Sequence, residues 1–352
     1  MSLRPRFSFS AGELSADSES PRSGPWRFVV ERSLDTPIDA LRISLADSGG
    51  VKPGDPVQLD LGDEENGLER VFTGTVAELR PRLNGCELFC LGNMLSLLEL
   101  RVAAFYQSRT AGDIARDLLG QAGLDAGQVE DGIELPRFCV ERRLCVHAQL
   151  RRLAQKLGFS LFGDRQGKIH FRGLGPAANL GTGGALGGLG AAAQAAASLL
   201  GGSGGAFEYR KHLLQAGGHL RPPLERKVVV GGESPTSGSG EDKSFWLTAT
   251  DSDYEDSAGD GAELLIIDAS ARSKDMAGRL AAGYAALLNR RTADIRLRVL
   301  GQPALELGDS RAIDAAPESA LNSQGYIKSL RHRFGSHEGF ITDLVLSTEA
   351  AV

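Results

Sequence analysis

The stretch "GYIKSLRHRFGSHEGFITDLVL" runs from Gly325 to Leu346, and "GTVAELRPRLNGCELFCLG" runs from Gly74 to Gly92. Gly74, Val76, Leu79, Arg80, Arg82 and Leu83 match Gly325, Ile327, Leu330, Arg331, Arg333 and Phe334 in identical spacing. Both segments then turn at Gly or Asn and enter a second apolar run. Each follows a "GD" dipeptide at comparable distance, Gly54-Asp55 in one and Gly308-Asp309 in the other. Both also break strict alternation at the same point, with apolar residues three apart. A shared β-bulge explains that break. The chain therefore carries two copies of one β-hairpin unit.

The repeat decides how the polar cluster of the later copy is read. His332, His337 and Glu338 fall within seven positions, which invites a metal or acid–base reading. His332 aligns with Pro81, however, and His337 and Glu338 fall in the turn. Adjacent strand residues also point to opposite faces. The segment reads as a turn, with no catalytic, cofactor-binding or metal residues assigned to it.

Arg80/Arg82 and Arg331/Arg333 recur at equivalent positions, and same-parity spacing puts each pair on one strand face. The plain reading is a solvated strand face. The sharper one is contact with carboxylates of a neighbouring barrel or partner protein, since the planar guanidinium fork grips a carboxylate at two points. These four are the candidate inter-subunit contacts.

Outward from the repeat, residues 1–107 read as short strands broken by Gly, Pro and Asp, the pattern of a small β-barrel domain. Residues 108–172 change period. "TAGDIARDLLGQAG" opens with Thr110 and Asp113 in capping-box spacing, and "VHAQLRRLAQKLG" places Leu150, Leu153 and Leu157 on one helical face. "FSLFGDRQGKIHF" follows as a hairpin turning at Asp164–Gly167, completing an α+β insert. Residues 173–206 are rich in Gly and Ala and carry no charge between Arg172 and Glu208. A membrane span needs ~20 apolar residues, but this segment has few large apolar side chains, so a flexible or weakly helical surface insertion is expected. Its "GGSGG" lacks the strand-to-helix context of a nucleophile elbow. Residues 207–352 return to strands with one helix, "SKDMAGRLAAGYAALLNRR", and form the second barrel domain. The fold class is mainly β with an α+β insert, two similar small β-barrels in one chain.

Several function classes recede on composition. Lys+Arg 39 against Asp+Glu 45 gives a net charge of −6, unlike a dedicated nucleic-acid binder. The N-terminus has no apolar core of signal-peptide length, so folding in the cytoplasm is expected. Cys86 and Cys90 lie four residues apart on one strand, roughly 13 Å, too far to share one ion. With Cys139 and Cys145 they read as buried structural thiols. "DSDYEDSAGDGAE" places Asp251, Asp253 and Glu255 at EF-hand ligand positions, but Asp256 stands where Gly is needed and Ala262 where Glu is needed. It reads as a solvated acidic loop.

The order of these features resembles one family. "KPGDPVQLDLG", "VFTGTVAEL", "YQSRTAGDIARDLL", "CVHAQLRRLAQKLGFSLF", "EYRKHLLQAGGHLRPPLERKVVVGGES" and "GYIKSLRHRFGSHEGFITDLVLS" occur in the sequence expected of the late control D, or baseplate hub, proteins of contractile phage tails. These are similar to the hub portion of the type VI secretion spike protein VgrG. The resemblance covers nearly the whole chain outside residues 173–206. It implies a homotrimer whose six barrels form a pseudo-sixfold ring under a hexameric tail tube. The implied partners are the tube protein, a spike and other baseplate components. VgrG-type fusions continue into further domains beyond the point where this chain stops, so the spike is expected to be a separate protein. The implied role is structural, not enzymatic and without cofactor. The protein would be incorporated into a phage tail or related injection particle. A particle-borne cell-wall hydrolase and a monomeric β-type binding module are the alternatives.

Overall fold

A computed structural model of the chain describes residues 4–19, 27–174, 205–220, 226–232, 254–289, 293–336 and 338–348. The Gly/Ala segment at 175–204, His337, and Asp251 and Asp253 of the acidic run lie outside the described residues.

Thirteen strands from the two ends of the chain form one curled sheet, antiparallel except where β13 pairs β19. The first half supplies β1 (Pro5–Ala11), β2 (Leu14–Asp17), β3 (Arg27–Ser33), β4 (Ala40–Leu45), β5 (Pro56–Asp63), β6 (Gly67–Arg82) and β7 (Gly85–Gly92). The last part supplies β13 (Phe207–Glu208), β14 (Leu213–Leu220), β18 (Ala293–Leu300), β19 (Ser310–Asp314), β20 (Gln324–Gly335) and β21 (Gly339–Thr348). Strands β3-β4-β7-β6-β5 and β14-β18-β21-β20-β19 lie in the same spatial order, all antiparallel. The fold is mainly β, built as two curled half-barrels of one design. They join where β20 pairs β3, Arg331 facing Glu31 and Phe334 facing Phe28.

The shared bulge is present. The register of β6 shifts between Val76 and Glu78, and that of β20 between Ile327 and Ser329. The GD dipeptide belongs to the same device. Gly54 N–H donates to the Val76 carbonyl and Val76 N–H to the Asp55 carbonyl, at 2.8 and 2.9 Å. Gly308, Ile327 and Asp309 repeat both bonds at 2.8 and 2.9 Å. Gly54 and Gly308 have φ of +95° and +82°, which glycine adopts without Cβ strain. Asp55 and Asp309 each accept a backbone N–H three residues back, from Lys52 and Glu306. One turn thus caps one bulge in each half, which re-aims the strand and curls the sheet.

The insert comprises β8 (Ala104–Thr110), α2 (Ala111–Gln121), β9 (Ala126–Val129), β10 (Glu134–Val140), α3 (Val146–Lys156), β11 (Phe159–Gly163) and β12 (Ile169–Gly173), with the short α1 (Leu95–Glu99) before it. The Thr110 hydroxyl accepts from Asp113 N–H as the capping pattern expects. Buried Ile114, Leu118, Leu150 and Leu153 line its core.

Three further strands, β15 (Arg226–Gly231), β16 (Glu255–Ala258) and β17 (Ala262–Ile267), form a separate sheet. With helix α4 (Lys274–Asn289) they pack into the core of the insert, not into that of the second half-barrel. Val228, Val230, Leu280 and Ala281 are buried there. Gly283 lets α4 approach the end of α3, since a Cβ there would stand 2.4 Å from the Lys156 carbonyl oxygen. Lys156 also pairs with buried Asp268 at 2.8 Å. Burial would raise the Asp268 pKa, but Lys156 and Ser270 outweigh it and hold it below the usual carboxylate value. Glu255 and Asp256, expected in a solvated loop, stand in β16, where they pair with β15.

The GD turn yields a prediction. Alanine at Gly54 meets open space but an unfavourable φ, and should cost about 1–2 kcal/mol. Alanine at Gly308 would also bring its Cβ to 2.6 Å from Leu174 Cδ2, so Gly308→Ala should cost more. Urea denaturation of the two variants checks the order.

Candidate functional site

The parts of the chain converge at the seam between β3 and β20. Arg32 is at its centre. Parity along β3 puts Phe28, Val30 and Arg32 on the buried face, and Arg32 is 2% exposed. Its guanidinium donates to Asp39 at 3.1 Å, to the Gly163 carbonyl at 2.8 Å and to Glu306 at 2.8 Å. These partners come from the first half-barrel, the insert and the second half-barrel. Arg165 of the insert grips the same Glu306, through its backbone N–H at 3.1 Å and its Nε at 3.2 Å. Burial opposes the charge on Arg32, but Asp39 and Glu306 more than offset it and keep its pKa raised. Burial also lifts Asp39 to about 6, against the pull of Arg32.

His332 occupies the core side of β20 at 1% exposure. Its Nδ1 lies 2.9 Å from Thr342 Oγ1, which itself accepts from Gln302 N–H. The hydroxyl can donate once and accept twice, so either tautomer of the neutral ring satisfies this contact, while Nε2 is buried without a hydrogen-bond partner. Burial, with Arg32 and Arg165 nearby, pushes its pKa down to about 3. Glu338 lies in the turn and pairs with Arg27 and Arg333. No group of three or more His, Cys, Asp or Glu among the described residues is arranged to hold a metal. Cys86 and Cys90 are buried, and burial pushes Cys90 up to about 12. Cys139 is exposed and Cys145 only partly covered, so the buried-thiol reading holds for the first pair alone. No helix among the described residues is long and apolar enough to cross a membrane.

The four arginines stand on the solvent side of β6 and β20, each beside a carboxylate of its own chain. Arg82 pairs with Glu87 at 2.8 Å and Arg333 with Asp343 at 3.1 Å, equivalent positions of the two hairpins. Arg80 pairs with Glu78 at 2.7 Å. Arg331 instead reaches across the seam to Glu31 of the first half-barrel, at 3.1 Å. They form part of a mixed-charge surface, not a bare positive patch. A cavity of about 1080 Å³ opens over this face, lined in part by Glu31, Arg296, Arg298, Arg331 and Asp343.

The fold is shared with phage and bacterial tail proteins and with a type VI secretion component. The chain is similar to the 43 kDa tail protein of prophage MuSo2 from Shewanella oneidensis, with a TM-score of 0.67 and 14% identity, covering 98% of this chain and 99% of that one. It is similar to the tail protein from Neisseria meningitidis, with a TM-score of 0.66 and 11% identity over 98% and 96% of the two chains. A component of the E. coli type VI secretion system, described as structurally similar to the T4 bacteriophage tail proteins gp27 and gp5, aligns at 0.56 and 11% identity, over 97% and 77%. No protein-family model and no curated protein matches the sequence.

Two predictions follow from the joint. Arg32→Met leaves Asp39 and the Gly163 carbonyl without this donor, leaves Glu306 to Arg165 alone, and should cost about 3–5 kcal/mol. Arg82→Met, at an exposed pair, should cost about 0–1 kcal/mol. Denaturant midpoints of the two variants check this contrast. His332 titrates at about 3 folded against 6.5 unfolded, so its contribution is complete above pH 6.5 and is lost as pH falls toward 3. Asp39, raised when folded, works in the opposite direction between about 6 and 3.8. His332→Gln should therefore flatten the acid loss of thermal stability relative to wild type, read from melting curves between pH 7 and pH 4.

Proposed function

We propose that this chain is a structural hub component in the baseplate of a contractile injection particle, either a phage tail or a related assembly. Three copies would form a ring of six half-barrels, joining a hexameric tail tube to a spike and meeting other baseplate components at its rim. After synthesis in the cytoplasm the chain would be built into the particle. The observation that carries this reading is the internal repeat: two half-barrels with one strand order and one turn-and-bulge device give six related surfaces in a closed threefold ring. The tail-protein fold, shared over nearly the whole chain, supports it. The domain plan in this reading is first barrel 1–107, insert 108–172, Gly/Ala segment 173–206 and second barrel 207–352, the last interrupted by β15–β17 and α4, which pack on the insert.

Native mass measurement of purified protein or assembled particles should find three copies. A strictly monomeric chain inside an intact particle would overturn the reading. Arg80, Arg82, Arg331 and Arg333 are the proposed rim contacts to tube or neighbouring barrel. In the same experiment Arg80→Ala with Arg331→Ala should block particle assembly while leaving the circular dichroism of the chain unchanged. Normal assembly of that double variant at raised salt would make these arginines surface decoration only.

A further inference from the structure

The seam within the chain has a missing counterpart. A row across the sheet runs Val76–Cys90–Leu41–Val30 in the first half-barrel and Ile327–Leu346–Ile295–Gly218 in the second. Strand β14 thus stands where β3 stands, and β6 stands where β20 stands. Inside the chain, β3 pairs with the 329–335 end of β20. The corresponding pair is β14 with the 78–82 end of β6, and among the described residues neither edge has a strand beside it.

Both edges are also bare where their counterparts are covered. Phe334, at the tip of the second hairpin, is 8% exposed and packs against Phe7 and Phe28 of the first half-barrel. Its counterpart Leu83 is 99% exposed. Phe28, Val29 and Val30 of β3 are buried, whereas Leu214 of β14 is 54% exposed and Gly217, Gly218 and His219 are exposed. An apolar tip in water and an eight-residue edge strand in water are two halves of one contact.

We propose that the hairpin tip of β6–β7 docks on the β14 edge of a second copy of this chain, adding antiparallel pairs that repeat the seam inside the chain. Transferring the observed register, Arg80 faces His219, Pro81 faces Gly218, Arg82 faces Gly217 and Leu83 faces Ala216 of the next copy. The contact is heterologous, so it closes into a ring or runs on as a filament. It rests on the ring reading above and names the surface that closes that ring. Pro81 has no N–H, so this ladder carries fewer bonds than the internal one, as edge strands tolerate. His219 stands where Glu31 stands, so Arg80, paired with its own Glu78, meets no carboxylate on the β14 edge and its proposed rim contact is with the tube. The docking between copies relies on backbone pairing and Leu83.

The test is a disulfide between copies. Facing Cα atoms in an antiparallel pair stand about 4.5–5.5 Å apart, within the span of a disulfide. A Cβ at Gly217 meets nothing within 4 Å, so cysteine fits there. In a Cys139→Ser, Cys145→Ser background, Arg82→Cys with Gly217→Cys should oxidise to a covalent ladder ending at the ring. Ser33→Cys with Ser329→Cys, facing across the internal seam, is the control and should close within one chain. A wild-type ring by native mass, with the control closing but no disulfide between copies, overturns the edge pairing and leaves the ring reading standing. Absence of any wild-type assembly removes both. Leu83→Asp touches no core, so it should leave the melting temperature unchanged and weaken assembly about tenfold or more. Unaltered assembly of Leu83→Asp overturns the docking of the tip.

Discussion

The molecule turns on one buried cation. Arg32 binds a carboxylate of its own half-barrel, a carbonyl of the insert and a carboxylate of the other half-barrel. An apolar side chain at that position could stabilise the fold as well, because desolvating three charges offsets much of their attraction. What apolar packing would not supply is direction. Three hydrogen bonds from one planar group fix three bodies in distance and angle. Glu306 is itself set by the GD turn, since its backbone N–H donates to Asp309. The turn that curls the second half-barrel therefore also presents the carboxylate that docks it.

The two half-barrels share this turn-and-bulge device but use their hairpin tips differently. In the second, the core-side positions are His332 and Phe334, both buried where the tip enters the first half-barrel. In the first, the same positions are Pro81 and Leu83, both exposed. Divergence has gone furthest where the environments differ most. The device at Val76 and Ile327, where a bulge and a GD turn bond each other in both halves, kept its backbone bonds to within the same tenth of an ångström.

Much of this was legible in the sequence. The repeat, the bulge, the GD turns and helices α2 to α4 follow from period and turn chemistry, because each is a local signal. Arg32 was not singled out, although its parity with Phe28 and Val30 marks it as a charge on a core face. Its partners Asp39 and Glu306 had no such marker, because they meet it only through the tertiary seam. Strand β14, "LLQAGGHL", has two glycines and no alternation, so only its neighbours show that it is a strand. Likewise β8, bare on most of its length, lacks the buried face that writes a period of two. Placing α4 against the insert needs the close approach at Gly283, which sequence spacing does not reveal.

An open edge strand is a hazard, since unpaired N–H and C=O groups recruit any extended chain. A protein meant to stay monomeric gains from covering such an edge or charging it. Here β14 carries Gly217 and Gly218 where β3 carries Val29 and Val30, so it has little apolar surface with which to recruit strangers. Opposite it, Pro81 removes one donor from the β6 edge. Both features weaken nonspecific pairing more than they weaken a docking whose register a whole half-barrel dictates. In the proposed docking, the same sequence choices would disfavour pairing with unrelated strands while leaving the matched edge to another copy.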